Sequence, residues 1–170
     1  YGLRHFPRSL RQLPRALEVN LSSKLWVLDL IASALDIPRA KVRAVSHHRS
    51  HAASAFLPSP FSEAAILTVD GAGEDTTTAI WHGQDERLTL KSALPFPHSL
   101  GLMYAGLTSY LGFPVNEGEY RVMGLAAWGQ PTRQAEFARL IHPEPGGAFS
   151  LSTGFFSDML DLKRGFGPKL

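Results

Sequence analysis

Apolar positions recur along the chain with two different periods, and the switches between them mark out its elements. Leu10, Leu13, Leu17 and Leu21 fall at three- and four-residue spacing, which predicts one apolar helical face. Pro14 falls in the first turn of that helix, where its missing N–H does little harm. Ser22 and Ser23 read as a break and a helix cap. Leu25, Leu28, Ala32 and Leu35 then form the stripe of a second helix, stopped near Asp36 and Pro38. Both stripes are the normal pattern of core-facing helices. Residues 41–46 alternate Val42 and Ala44 with charged neighbours and predict a short strand. Residues 47–57 have the composition of a helix, which Pro58 and Pro60 end.

An apolar run of strand length over residues 64–69 predicts a buried strand. Residues 76–81 and 87–93 predict two more, joined by the polar turn 82–86, so this region reads as a meander. Pro95 and Pro97 hold a rigid extended connector. A helix is predicted over residues 99–111, with Leu100, Tyr104, Leu107 and Leu111 on one face and Gly112 at its end. Residues 116–126 read as a polar loop running into an apolar helical turn. Residues 132–141 predict a short helix, 143–147 a loop, and 149–152 a weak strand.

Composition narrows the class. Of the 170 residues, 44% are apolar and 19% charged, as in a globular domain or a piece of a larger one. The formal charge is +2 and the basic residues are scattered, which is no footprint for nucleic acid. The chain has no cysteine, so metal ligands must come from histidines and carboxylates. The longest apolar runs are far too short to span a bilayer, and a cytoplasmic location with no membrane partner is the expectation. A start at Tyr1 and a loop-like tail over residues 163–170 lead us to expect a fragment of a longer protein.

Candidate chemistry gathers in one stretch. His47, His48 and His51 lie within five residues on the predicted helix. Side chains four apart on a helix project together, about 40° apart around the axis. His47 with His51 therefore makes a two-point clamp, and His48 with His51 is the alternative. Asp70 ends the following strand and offers a carboxylate to the same metal. Two histidines and a carboxylate form a facial set with open positions, suited to iron or manganese as well as zinc. Gly71 and Gly73 follow at the strand end, where glycines let backbone N–H groups approach a phosphate. This is neither a Walker loop nor a dinucleotide fingerprint. In the segment Asn116-Glu-Gly-Glu-Tyr-Arg121, two carboxylates and a guanidinium would suit ribose hydroxyls and a phosphate or substrate.

Four motifs in order, His47-His-Arg-Ser-His-Ala-Ala-Ser-Ala-Phe56, Val69-Asp-Gly-Ala-Gly-Glu74, Pro97-His-Ser-Leu-Gly-Leu-Met-Tyr104 and Glu117-Gly-Glu-Tyr-Arg-Val-Met-Gly-Leu-Ala126, resemble those of the O-carbamoyltransferases. That family includes the nodulation-factor, cephamycin and tobramycin carbamoyltransferases. The likeness runs roughly over residues 10–129. It implies an α/β chain of the actin-like ATPase (ribonuclease H-like) fold, a partial domain with a mixed sheet flanked by helices. It also implies ATP and carbamoyl phosphate as co-substrates. A second domain similar to the threonylcarbamoyl-adenylate synthases would form carbamoyl-adenylate, and the actin-like domain would pass the carbamoyl group to a hydroxyl of a sugar or natural product.

By motif position the resemblance assigns His47, His51 and Asp70 to a metal, usually iron, and leaves His48 structural. Gly71 and Gly73 fall at nucleotide phosphate, and Glu119 at the ribose. Arg121 stands where many members have lysine, which keeps the charge but replaces a point donor by a planar fork. Asp158 and Asp161 are candidates for the base that deprotonates the acceptor hydroxyl. A first strand with its own phosphate loop, a further metal-binding aspartate and the adenylate-forming domain are expected outside the chain, so residues 1–170 alone are expected not to turn over. A non-catalytic nucleotide-binding or sugar-kinase-like module of the same fold is the rival reading. A zinc hydrolase ranks last, because no His-Glu-x-x-His is present.

Overall fold

The computed structural model describes residues 25–155 and divides the chain into two units, Tyr1–Val45 and Ser46–Leu170. The helix expected over residues 10–21, its neighbours Ser22 and Ser23, and Asp158 and Asp161 lie outside the described residues. In the first unit, helix α1 (Val27–Ala34) carries the second predicted stripe. Ala32 is buried and Leu28 half-buried, whereas Leu25 and Leu35 are exposed, so the stripe is narrower than its spacing predicts. No strand forms over residues 41–46. A 3-10 turn, Arg39–Lys41, occupies the start of that stretch, and the chain beyond it has no ladder partner among the described residues. An alternating pattern this short needs neighbouring strands to hold it.

In the second unit, helix α2 (His47–Phe56) leads into β1 (Glu63–Gly73), β2 (Thr76–Gln84) and β3 (Arg87–Pro95). These three strands form the expected meander, antiparallel throughout and in the order β1-β2-β3. The sheet is therefore not mixed among the described residues. The sequence predicts a buried strand at β1, and it is buried on one face only. Ile66 and Thr68 point inward while Leu67 and Val69 are 65% and 48% exposed. Period-two side-chain alternation puts them on opposite faces, and α2 covers the inner one. Ala52 and Phe56 of α2 pack there on Ile66, Ala79 and Trp81, edged by Ala64 and Leu88. Each large side chain so buried contributes about 1.5–3 kcal/mol relative to exposure.

Helix α3 (Leu100–Tyr110) starts at Ser99, whose side chain accepts the Leu102 N–H at 3.0 Å. Gly112, at φ +85°, ends it. The Gly112 N–H bonds Ser109 C=O and the Phe113 N–H bonds Thr108 C=O, the paired closure that a left-handed residue permits. Its buried line is Met103, Gly106 and Thr108, with Leu100 and Leu107 at the margin, whereas Leu111 is exposed. Met103 packs on Leu140 and Leu151, beside the small hairpin of β4 (Ile141–Pro143) and β5 (Phe149–Leu151).

The loop expected at residues 116–121 is helical from Glu119 onward, as α4 (Glu119–Ala126), and none of that helix is buried. Helix α5 (Gln134–Ala138) is shorter than residues 132–141, because Ile141 leaves it to pair with Leu151. No helix among the described residues is long and apolar enough to cross a membrane.

Candidate metal centre

Helix α2 sorts its three histidines by face. His48, Ala52 and Phe56, each four residues apart, form the buried line against the sheet. His47 and His51 make a second line of the same spacing on an exposed side of the helix. Spacing alone leaves His48 a possible partner of His51. The core contact of Ala52 and Phe56 removes it.

The carboxylate reaches this pair through an irregularity in β1. Val69 pairs with Thr78 and Gly73 with Thr76, so Asp70, Gly71 and Ala72 together face the single residue Thr77. Such a bulge bends the strand and re-aims a side chain. Here it turns Asp70 toward α2. Asp70 Oδ1 accepts the Gly71 N–H at 2.6 Å, leaving Oδ2 for the histidines. His47 Nε2 is in direct hydrogen-bond contact with Oδ2, and His51 Nε2 lies 3.5 Å from it. The two Nε2 atoms are 3.1 Å apart.

These atoms test whether a metal fits. Two imidazole nitrogens and a carboxylate oxygen lie within 4.8 Å of one another, each presenting a lone pair to the same small space. Without a cation between them, protons must separate these acceptors. A divalent ion does the same with three coordinate bonds. Both histidines and Asp70 keep part of their surface in solvent, so positions stay open for an added ligand. The His47 imidazole, above all, holds the Asp70 carboxyl below its ordinary range. Partial burial opposes that shift, and the Gly71 amide reinforces it.

His48 has a different set of partners. Its Nε2 faces the Thr76 carbonyl at 2.9 Å and must carry the proton. Nδ1 then accepts from Thr68 Oγ1 at 2.8 Å, and the Trp81 Nε1–H donates to that hydroxyl at 3.4 Å. Every polar atom of the buried ring is satisfied within the protein, as buried polar groups require. His48 joins α2 to the sheet and leaves no nitrogen for a metal.

The two glycines differ. A Cβ on Gly71 would meet only ordinary contacts, Leu102 Cδ2 at 3.7 Å being the nearest. A Cβ on Gly73 would stand 2.3 Å from His47 Cδ2 and 2.7 Å from Cγ. Gly73 therefore makes room for the imidazole ring, a contact that chain spacing gives no hint of. Glu119 and Arg121 have local partners. Glu119 Oε1 accepts the Asn116 N–H at 3.0 Å, and Arg121 Nε donates to Tyr120 Oη at 3.2 Å. The structure thus brings His47, His51, Asp70, Gly71 and Gly73 together, whereas Glu119 and Arg121 keep the local partners just named on and before α4. Ser99 and Gly101 also touch the Asp70 turn. Their motif is visible in the sequence, but its contact with β1 is not.

Known proteins carry related sequence. The model of a family described as carbamoyltransferase N-terminus matches residues 3–150. An uncharacterized protein of Synechocystis is 42% identical over 161 residues, covering 89% of this chain and 26% of that protein. The nodulation protein NolNO of Sinorhizobium fredii is 36% identical over 117 residues, covering 68% of this chain and 17% of that protein. The nodulation protein NolO of Bradyrhizobium diazoefficiens is 36% identical over 92 residues, covering 54% and 17%. The chain thus spans about a quarter or less of these relatives' lengths. With most of its length matched by that family, the chain belongs to the carbamoyltransferase N-terminus family.

Proposed function

We propose that this chain is the metal- and nucleotide-handling N-terminal part of a cytoplasmic, ATP-dependent O-carbamoyltransferase with an actin-like ATPase domain. The observation that supports this most is the convergence of His47, His51 and Asp70, in a chain of the carbamoyltransferase family, on one partly open point. Carbamoyl phosphate and ATP would supply a carbamoyl-adenylate, made by an adenylate-forming domain of the same protein. The acceptor would be a hydroxyl of a sugar, oligosaccharide or other small molecule. No nucleic acid enters the reaction.

His47 and His51 would hold the ion through Nε2 and Asp70 through Oδ2, a donor set that suits iron. When bound, such an ion would polarise a carbamoyl or phosphoryl oxygen and stabilise charge that builds there. Asp70 is held ready by its own Gly71 amide, which fixes one carboxylate oxygen while the other faces the site. Gly71 and Gly73 would lie beneath the nucleotide phosphates. Glu119 would turn from Asn116 to the ribose, and Arg121 from Tyr120 to phosphate or substrate.

Metal analysis tests the site, and mass spectrometry tests the reaction. The wild-type protein is expected to hold about one metal ion per chain and His51→Ala to lose it, since each missing ligand removes a coordinate bond. Unchanged metal in His51→Ala would favour a plain nucleotide-binding module of the same fold, which needs neither histidine. A protein of the relatives' full length, given ATP, carbamoyl phosphate and hydroxyl acceptors, is expected to add one carbamoyl group to an acceptor. Residues 1–170 alone are expected to add none, and carbamoyl transfer by them would refute the need for a further domain.

A further inference from the structure

We propose that Ser99 and Gly101, at the start of α3, are positioning residues that set the Asp70 carboxylate against the His47–His51 pair. The inference rests on the metal reading above and adds the device that holds its third ligand. The bulge at Asp70, Gly71 and Ala72 removes those residues from the regular ladder, so their carbonyls need other donors. Ser99 supplies one. Its hydroxyl lies 2.6 Å from Gly71 C=O and 3.1 Å from Asp70 C=O, and it accepts the Leu102 N–H at 3.0 Å. Ser99 is fully buried, so donor and acceptor are both committed.

Gly101 sets the distance. A Cβ there would fall 2.7 Å from Gly71 N, 2.8 Å from Asp70 C and 2.9 Å from Asp70 O. All three are backbone atoms, which cannot swing aside as a side chain can. The first turn of α3 therefore lies flush on the Asp70–Gly71 peptide. That peptide carries the N–H that holds Asp70 Oδ1, so its plane decides where Oδ2 points. One residue earlier the same turn is tied down again. The buried Thr77 hydroxyl, opposite the bulge on β2, donates to His98 C=O at 2.6 Å. Strand, bulge and helix start thus form one clamp around the ligand's backbone, of the kind that outer groups provide around metal ligands.

The test titrates Co²⁺ into the protein, with circular dichroism to confirm folding and the visible ligand-field bands to report coordination. Gly101→Ala and Ser99→Ala are each expected to weaken Co²⁺ binding about 10–100-fold, the usual effect of losing a supporting group, and to alter the bands. Leu107→Ala, which loosens α3 at its margin with the second core, is the control and should bind Co²⁺ as wild type does. Wild-type affinity and bands in both clamp variants would overturn the proposal, as would weakening in Leu107→Ala equal to theirs. If Gly101→Ala does not fold, Ser99→Ala decides. Failure of both to fold also overturns it, since the contact would then serve the fold and not the ligand. Failure of the metal reading looks different: wild type would not bind Co²⁺, or His47→Ala would bind it equally well.

Discussion

Replacing Gly73 by alanine is expected to weaken metal binding strongly while leaving the fold in place. The new methyl would stand 2.3 Å from His47 Cδ2, well inside any distance that real Cβ atoms keep. The backbone at Gly73 is paired with Thr76 in the β1–β2 ladder and is the harder side to move. His47 is the softer side: its ring can rotate away from the two closest contacts at a strain of about 0.5–1.5 kcal/mol, while His47 Cβ, 3.0 Å from the new methyl, must give by a few tenths of an ångström. Rotation carries Nε2 off the Asp70 and His51 contact. The metal should then bind about 10–100-fold more weakly, or worse, since a ligand itself is displaced. Stability of the metal-free protein should fall only modestly, because most of the collision is relieved on a partly exposed side chain and only the tight His47 Cβ contact is left. Gly71→Ala is the matched control. Its Cβ meets ordinary contacts and should leave metal affinity unchanged. Equal metal affinity in Gly73→Ala and wild type would show that the ring does not depend on that space.

The contrast between these glycines shows what the chain reveals by itself and what it withholds. Composition found α2, and apolar patterning found the meander and α3, within a few residues, because each has its own stop, such as Pro58 or Gly112. Spacing set Asp70 beside His51 with either His47 or His48, and the resemblance to the carbamoyltransferases, not periodicity, chose His47. The bulge is not local in that sense. Val69-Asp-Gly-Ala-Gly73 reads equally well as a regular strand end, and only the pairing with Thr78 and Thr76 shows which residues leave the ladder. Ser99 and Gly101 were hidden for the same reason, since their partner lies about thirty residues upstream on another element. The extended stretch at 41–46 erred the other way: alternation is present, and no partner strand lies among the described residues.

His48→Ala is expected to do the reverse of Gly73→Ala: a large loss of stability with the metal retained in whatever remains folded. The ring is 4% exposed and bridges Thr68 on β1 to the Thr76 carbonyl on β2, with Trp81 attached through the Thr68 hydroxyl. Truncation opens a cavity beneath α2 and takes the donor from Thr76 C=O. A cavity of this kind costs about 2–5 kcal/mol, and an unsatisfied buried acceptor about 1–3 kcal/mol where water cannot replace the donor. The two terms overlap, so a fall of about 3 kcal/mol in chemical denaturation is the expected result. Metal stoichiometry of the folded fraction should stay at the wild-type value, because both nitrogens of His48 are engaged by Thr68 and Thr76. If His48→Ala instead lost its metal at wild-type stability, the roles of adjacent histidines would be exchanged. The burial of Ala52 and Phe56 on the same helix face argues against that exchange, since rotating α2 to aim His48 at Asp70 would pull both out of the core.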